Sequence, residues 1–348
     1  MDTSSAPTLP APALSVVIPV YNEEDVLAAL FDRLYPALDA LAEPYEIVFV
    51  NDGSRDRSSQ LLAEQFRRRP DVTRVVLFNG NFGQHMAILA GFEQVRGAVT
   101  VTLDADLQNP PEEIPRLLAA VRAGHDYVGT VRRQRNDSFF RRTASRLMNR
   151  LRENITHIRM TDQGCMLRAY DRALVDTLNA CHEVNTFIPA LAYTFAAAPV
   201  EIEVSHEERH AGESKYSLYK LIRLNFDLVT GFSTVPLQWF SVIGTVLSLG
   251  AGGLFLLLLA RRFLFGAEVE GVFTLFALQF FLIGIVLFGI GLMGEYVGRI
   301  QQEVRRRPRY RISAVLQTAR PADNEPTPHA SPWLHSTVPP GPEPASFA

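Results

Sequence analysis

Cysteine is scarce in this chain. Cys165 and Cys181 are the only two in 348 residues. They supply no disulfide framework and point to a reducing compartment for the part that holds them. Charge of one sign is not in excess: the net charge of −3 argues against a general nucleic-acid binder. No G-x-G-x-x-G follows the first apolar run, so a dinucleotide site is not indicated. His85 and His182 stand in no metal-ligand spacing and read as structural polar groups. Cys165 has no histidine at a suggestive spacing and reads as a packed residue rather than a nucleophile. Residues 1–13 lack the basic and apolar stretches of a secretory signal and are expected to form a disordered leader.

Charge is missing altogether from two longer stretches, one between Asp227 and Arg261 and one between Glu270 and Glu295. A membrane-spanning helix needs about 20 mainly apolar residues. The sequence therefore predicts two transmembrane helices, 235–260 and 271–294, joined as a hairpin. The loop between them carries only Arg261 and Arg262. The outer flanks carry Lys215, Lys220 and Arg223 on one side and Arg299, Arg305, Arg306, Arg307, Arg309 and Arg311 on the other. Basic residues favour the cytoplasmic side, so both flanks, both termini and the large N-terminal domain are expected there. Residues 217–234 mix apolar side chains with Lys220 and Arg223, a pattern for an amphipathic juxtamembrane helix. A basic segment, 295–319, follows the hairpin, and 320–348 read as a disordered Pro-rich tail.

Ahead of the hairpin, strand and helix patterns alternate. Ser15–Val20 reads as a buried parallel strand. Asn22, Glu23, Glu24 and Asp25 read as a cap with an acidic first turn. Val26, Leu27, Leu30, Leu34, Leu38 and Leu41 mark a helix that Pro36 is expected to interrupt or kink. Tyr45–Val50 is a second strand, ending in the turn Asn51-Asp52-Gly53-Ser54. A helix around Leu61, Leu62 and Phe66, a strand Thr73–Phe78, a helix over 84–95 and a strand Ala98–Leu103 come next. Residues 112–123 and 139–152 are expected to be helical, and Tyr127–Val131, Cys165–Ala169 and Val200–Val204 extended. This order predicts an α/β domain over 14–216 with a mostly parallel sheet covered by helices.

The strand Ala98–Leu103 delivers Asp104-Ala105-Asp106-Leu107-Gln108. Ligands of open α/β sheets bind at the carboxyl ends of strands. Two acids with an amide form an oxygen-rich site suited to Mg²⁺ or Mn²⁺, which would neutralise a diphosphate. The competing reading is a turn whose aspartates cap the helix near Glu112. Asp52 divides between a ligand for a base or ribose and an Asx turn with Gly53. Glu23 divides between capping and ligand contact, and Tyr21 between stacking on a base and packing. Asp162, ahead of Gly164, is a candidate to reach the reacting centre. Arg132, Arg133, Arg135, Arg141 and Arg142 crowd one loop, and His206, Arg209, Ser214, Lys215 and Tyr216 crowd the approach to the membrane. Arginine suits bidentate phosphate recognition, whereas basic residues beside a bilayer also anchor lipid head groups. Arg209 and Lys215 read as phosphate ligands; Arg142 and Lys220 read as anchors.

These residues together resemble the family 2 glycosyltransferases of GT-A fold. Val17-Ile18-Pro19-Val20-Tyr21-Asn22-Glu23-Glu24, Val50-Asn51-Asp52-Gly53-Ser54 and Asp104–Gln108 carry that likeness. Asn81-Phe82-Gly83-Gln84-His85, Asp162-Gln163-Gly164-Cys165-Met166-Leu167-Arg168 and Gly212-Glu213-Ser214-Lys215-Tyr216 resemble the polyprenyl-phosphate glycosyltransferases within it. Ser138–Arg141, Cys181-His182-Glu183, Thr186–Pro189 and Gly294–Ile300 are most similar to the bacterial group that transfers 4-deoxy-4-formamido-L-arabinose to undecaprenyl phosphate.

The resemblance covers about residues 14–312; the leader and the tail depart from it. It implies an inverting transfer from a nucleotide sugar, a UDP-sugar in this group, to undecaprenyl phosphate at the bacterial inner membrane. It assigns Pro19, Tyr21, Glu23 and Asp52 to the nucleotide. It assigns Asp104, Asp106 and Gln108 to the metal, with Asp104, Asp106 and Asp162 in the catalytic centre. It assigns Arg209 and Lys215 to the lipid phosphate, and Arg132, Arg141 and Ser214 are the further candidates that the basic loop and the turn before the membrane supply. It also implies a homotetramer. A UDP-glucose or other hexose donor is the alternative. A processive polysaccharide synthase would need Gln-x-x-Arg-Trp, which neither Trp239 nor Trp333 completes. A membrane scaffold would not need three acids at strand ends.

Overall fold

The computed structural model describes residues 11–132, 160–162, 164–181, 187–205, 207, 234–265, 272–305 and 307–318. Strands β1 (Leu14–Val20), β2 (Tyr45–Asn51), β3 (Thr73–Phe78), β4 (Val99–Thr102), β5 (Tyr127–Arg132), β6 (Arg168–Asp171), β7 (Pro199–Val204) and β8 (Ile312–Leu316) form one sheet in the order β7-β5-β6-β4-β1-β2-β3-β8. The ladders β1/β2, β1/β4, β2/β3 and β5/β7 are parallel. Those of β6 with β4 and β5, and of β8 with β3, are antiparallel. All strands but β6 and β8 thus run one way, as the β-α-β-α pattern predicts.

Helices α1 (Leu27–Asp39), α2 (Ser58–Arg68) and α4 (Ile114–Arg122) cover one face; α3 (Gln84–Gln94), α5 (Arg172–Ala180) and α6 (Ile188–Phe195) cover the other. Strand β1 explains why its sequence is apolar throughout. Val16, Ile18 and Val20 enter the first core and Val17 the second, as the period of two requires. Gly91 lets α3 lie against β1, because a Cβ there would stand 2.3 Å from a Val17 methyl.

Several local expectations are corrected. Helix α1 runs through Pro36; the proline is exposed, and Leu30, Leu34 and Leu38 keep their stripe in the core. The acids 23–25 precede α1 rather than forming its first turn. The strand expected at Cys165–Ala169 begins only at Arg168. A 3₁₀ turn, Pro111–Glu113, precedes α4. Strand β8 lies in what the sequence showed as a basic segment: the chain returns after the hairpin and pairs with the free edge of β3. Tyr310 stacks on Phe78 there, with ring centroids 5.0 Å apart.

Helices α7 (Val235–Phe265) and α8 (Val272–Val304) are long and apolar enough to cross a membrane. Phe240 of α7 sits against Gly289 of α8. The helix expected over 139–152 and nearly all of the juxtamembrane segment 217–234 lie outside the described residues.

Candidate active site

The carboxyl ends of β2, β1 and β4 lie side by side, with Val20 level with Asn51 and Val17 level with Thr102. Pro19 is tolerated in a central strand because the β4 ladder has ended before it. Beyond β1 the chain is stitched to the loop after β2. Asn22 accepts from the Arg55 N–H (2.8 Å) while its own N–H donates to the Ser54 hydroxyl (3.0 Å). The Glu23 N–H donates to Ser58 and the Arg57 N–H to Glu24. Asn22 pays for this tie with a left-handed backbone, φ 54°. Tyr21 is left 43% exposed beside these loops, and Glu23 is half-buried.

Asp52 is buried and spends both oxygens on backbone. Oδ1 accepts from the Phe82 N–H at 2.7 Å and Oδ2 from the Gly83 N–H at 2.9 Å. Burial nevertheless pushes its carboxyl above the usual range. The side chain that holds this turn is instead Asn51, which accepts from the Ser54 N–H three residues on. Gly53 has φ +67°, and a Cβ there would meet the Gly80 backbone at 2.4 Å, so the two loops approach as only glycine permits. Asp52 therefore acts as a strut for the start of α3.

Past β4, Leu103, Ala105 and Leu107 are buried while Asp104, Asp106 and Gln108 are partly exposed. The three polar residues thus share one side of the chain. Leu107 keeps this alternation through a left-handed turn, φ 59°, and Asp106 accepts from the Gln108 N–H at 3.1 Å. Gln84, at the start of α3, donates its amide to Asp104 at 2.6 Å. Neither the 3₁₀ turn nor α4 carries a side-chain cap, so the capping reading of the two aspartates fails. Among the described residues no group of three His, Cys, Asp or Glu forms a cage for a metal. Two carboxylates and an amide instead fit a hard cation that keeps most of its shell for water and phosphate oxygens.

At the end of β5, separated from β4 by β6, Arg132 makes a bidentate pair with buried Asp162, Nε to Oδ2 at 2.6 Å and Nη2 to Oδ1 at 2.8 Å. Asp162 raises the Arg132 pKa most, and the charge of Asp104 adds to it. Beneath the pair lies Arg168, fully buried. It donates to the carbonyl oxygens of Cys165 (2.9 Å) and Asp162 (2.8 Å) and to the Tyr127 hydroxyl. Burial pushes the Cys165 thiol up, in keeping with a packed residue. Gln84 and Arg168 were legible only as members of their motifs; nothing in their spacing marks them as site residues.

The chain returns to this edge after β7. The Glu207 N–H donates to the Gln108 carbonyl at 3.0 Å, and Arg33 clasps Glu112 and Glu207 together. Glu207 stands two residues ahead of Arg209 in sequence. Arg141, Arg209, Ser214 and Lys215 themselves lie outside the described residues.

Residues 15–178 match the family model "Glycosyl transferase family 2". The undecaprenyl-phosphate 4-deoxy-4-formamido-L-arabinose transferase of Pectobacterium atrosepticum is 52% identical over 310 residues, 88% of this chain and 95% of its own. That of Edwardsiella ictaluri is 50% identical over 314 residues, 90% of this chain and 97% of its own. Among solved structures, the glucosyl-3-phosphoglycerate synthase of Mycobacterium tuberculosis with Mn²⁺, UDP-glucose and phosphoglyceric acid is 17% identical. Its TM-score is 0.43, with 63% of this chain and 78% of that chain covered. The likeness read from the motifs holds over nearly the whole length of these relatives, and the chain belongs to glycosyl transferase family 2.

Proposed function

We propose that this protein transfers 4-deoxy-4-formamido-L-arabinose from UDP to undecaprenyl phosphate, with inversion at the anomeric carbon. One observation carries the reading: half of all positions are identical to transferases of that name over about nine-tenths of the chain. The site supports it. Pro19, Tyr21 and Glu23 face the nucleotide from the end of β1, and Asp52 holds the loop that closes that side. Asp104, Asp106 and Gln108 would hold Mg²⁺ or Mn²⁺, which when bound neutralises the diphosphate. Arg132, with Arg141, Arg209, Ser214 and Lys215, binds the lipid phosphate. A phosphate monoester has its second pKa near 6, so the attacking oxygen is already ionised. Asp162 then orients Arg132 rather than removing a proton. Catalysis comes mainly from holding the two substrates in line and from stabilising the leaving group. Helices α7 and α8 anchor the enzyme in the bacterial inner membrane with its sheet in the cytoplasm, where large apolar side chains such as Leu249 and Phe288 meet lipid.

The test uses the purified full chain in detergent with undecaprenyl phosphate, a divalent cation and the formamido donor. UDP and a lipid-linked sugar should form together. A product only with UDP-glucose or another hexose donor would replace the sugar in this reading. No product with any UDP-sugar would sink it.

A further inference from the structure

Strand β8 belongs to a stretch that the chain reaches only after both long apolar helices. Helix α8 ends at Val304 and β8 begins at Ile312. Between them the backbone meets the end of β3: the Asn79 N–H donates to the Arg311 carbonyl at 3.1 Å. Arg309 donates to the Cys181 carbonyl, and the Ser313 hydroxyl to the Leu77 carbonyl at 2.9 Å. Farther along, Ala314 is level with Leu77, Val315 with Val76 and Leu316 with Val75. A register shift between Leu77 and Phe78 ends the regular ladder, as bulges do where a side chain is re-aimed.

Tyr310 carries the contact past that shift. Its ring stacks on Phe78, with centroids 5.0 Å apart and planes 12° apart. Phe82 also meets Phe78, edge-on at 5.7 Å and 86°. The Phe82 N–H is the one that donates to Asp52 at 2.7 Å, beside that of Gly83. Two residues past Phe82, Gln84 donates to Asp104 at 2.6 Å. Loop 79–83 is therefore held from two sides. Asp52 and Gly53 take its backbone from the β2 side, and a stack of three rings takes it from the β8 side. A Cβ on Gly80 or Gly83 would meet nothing within 4 Å, and Phe82 stays 38% exposed, so the loop owes its place to these two sets of contacts.

We infer that Tyr310 is a positioning residue for the donor nucleotide, acting through Phe78 and Phe82 on the loop that carries Asp52's partners and Gln84. The inference rests on the donor side assigned above. The nucleotide pocket is then complete only when the segment beyond the helical hairpin has docked on β3. Tyr310 touches neither substrate. It fixes a loop whose backbone donors and amide must already stand in place when a diphosphate and its cation arrive.

The experiment measures the Kd for UDP with Mn²⁺ and the KM for undecaprenyl phosphate on the purified full chain in detergent. Wild type is compared with Tyr310→Ala, Tyr310→Phe and Val315→Ala. Val315 lies on the same strand and packs on the second core, level with Val76 rather than with the loop. Tyr310→Ala should weaken UDP binding about fivefold, the weight of one aromatic pair, and leave the KM for the lipid within about twofold. Tyr310→Phe keeps the ring and should bind UDP as the wild type does. Val315→Ala should lower the melting temperature with the Kd for UDP unchanged. An unchanged Kd in Tyr310→Ala, or equal weakening in Val315→Ala, overturns the inference and leaves β8 a cover for the sheet edge. Where Tyr310→Ala does not fold, Tyr310→Leu keeps the bulk without the flat ring and is read the same way. A wild type that binds no UDP sinks the donor side and this inference with it. A wild type that binds UDP but transfers no sugar sinks the proposed reaction alone, and the Kd values still decide the role of Tyr310.

Discussion

Two neighbouring stretches of one sheet edge hold their side chains by different means. At the ends of β1 and β2, side chains fasten backbone. Asp52 takes two N–H groups, and Asn22 and Glu24 take one each. At the ends of β5 and β6, side chains hold each other, Arg132 against Asp162. The first arrangement keeps its shape with no ligand present. The second consists of a charge pair for which an incoming phosphate competes. Under the proposed function the donor side is preformed and the acceptor side exchangeable, a division that suits a soluble substrate meeting one delivered by the bilayer.

Four measurements break or sharpen this contrast. The largest effect is expected from Asp106→Ala, which should lower kcat by about 10²–10³-fold, the range for removing one preorganised stabilising group. The melting temperature should change little, because Asp106 is partly exposed and lies outside the core. A collapse of the fold would mean the acid is structural. Next comes Asp52→Ala, which strands two N–H donors and should cost about 1–3 kcal/mol of stability, read from denaturant unfolding in detergent. UDP affinity should weaken with it; an unaffected fold would remove the strut role. Arg132→Ala should act on the other substrate, raising KM for undecaprenyl phosphate about tenfold, as loss of a charge-assisted contact does, with UDP binding unchanged. Equal losses for both substrates would erase the division between the two sides.

The smallest effect concerns pH. His85 titrates near 6.5 when unfolded and at about 4 in the fold, held there by burial and then by the Arg168 charge. The unfolded chain therefore binds a proton that the native state refuses. Stability should fall as pH falls from about 6.5 to about 4, and His85→Gln should flatten that slope by up to one proton. Parallel slopes for the two proteins would show that His85 is accessible and unperturbed.

Much of the architecture was legible because it is written in local periodicity. The apolar run of β1 and the stripe of α1 follow from burial on two faces and on one, and the uncharged lengths of α7 and α8 are those of helices long and apolar enough to cross a membrane. The delivery of Asp104 and Asp106 to a strand end was legible from the β-branched run before them; that Gln108 joins them on one side was not, because it depends on the left-handed turn at Leu107. Strand β8 was not. Its sequence looks like a basic flank, and only the open edge of β3 gives it a partner. That Asp52 accepts from the Phe82 and Gly83 N–H groups was not legible either, because an aspartate before glycine signals a turn equally well when its oxygens are used elsewhere.

The sequence by itself determined the α/β order, the acid pair at a strand end and the two long apolar helices, because each is encoded within a few turns of chain, and its motifs carried the resemblance to the family. Tertiary structure alone decided that Asp52 meets Phe82 and Gly83, that Arg132 meets Asp162, and that His85 is left with a bare, buried nitrogen. Those partners lie 30 residues or more apart in sequence or are missing. Distance along the chain carries no information about which donors and acceptors the packed core brings together and cuts off from water.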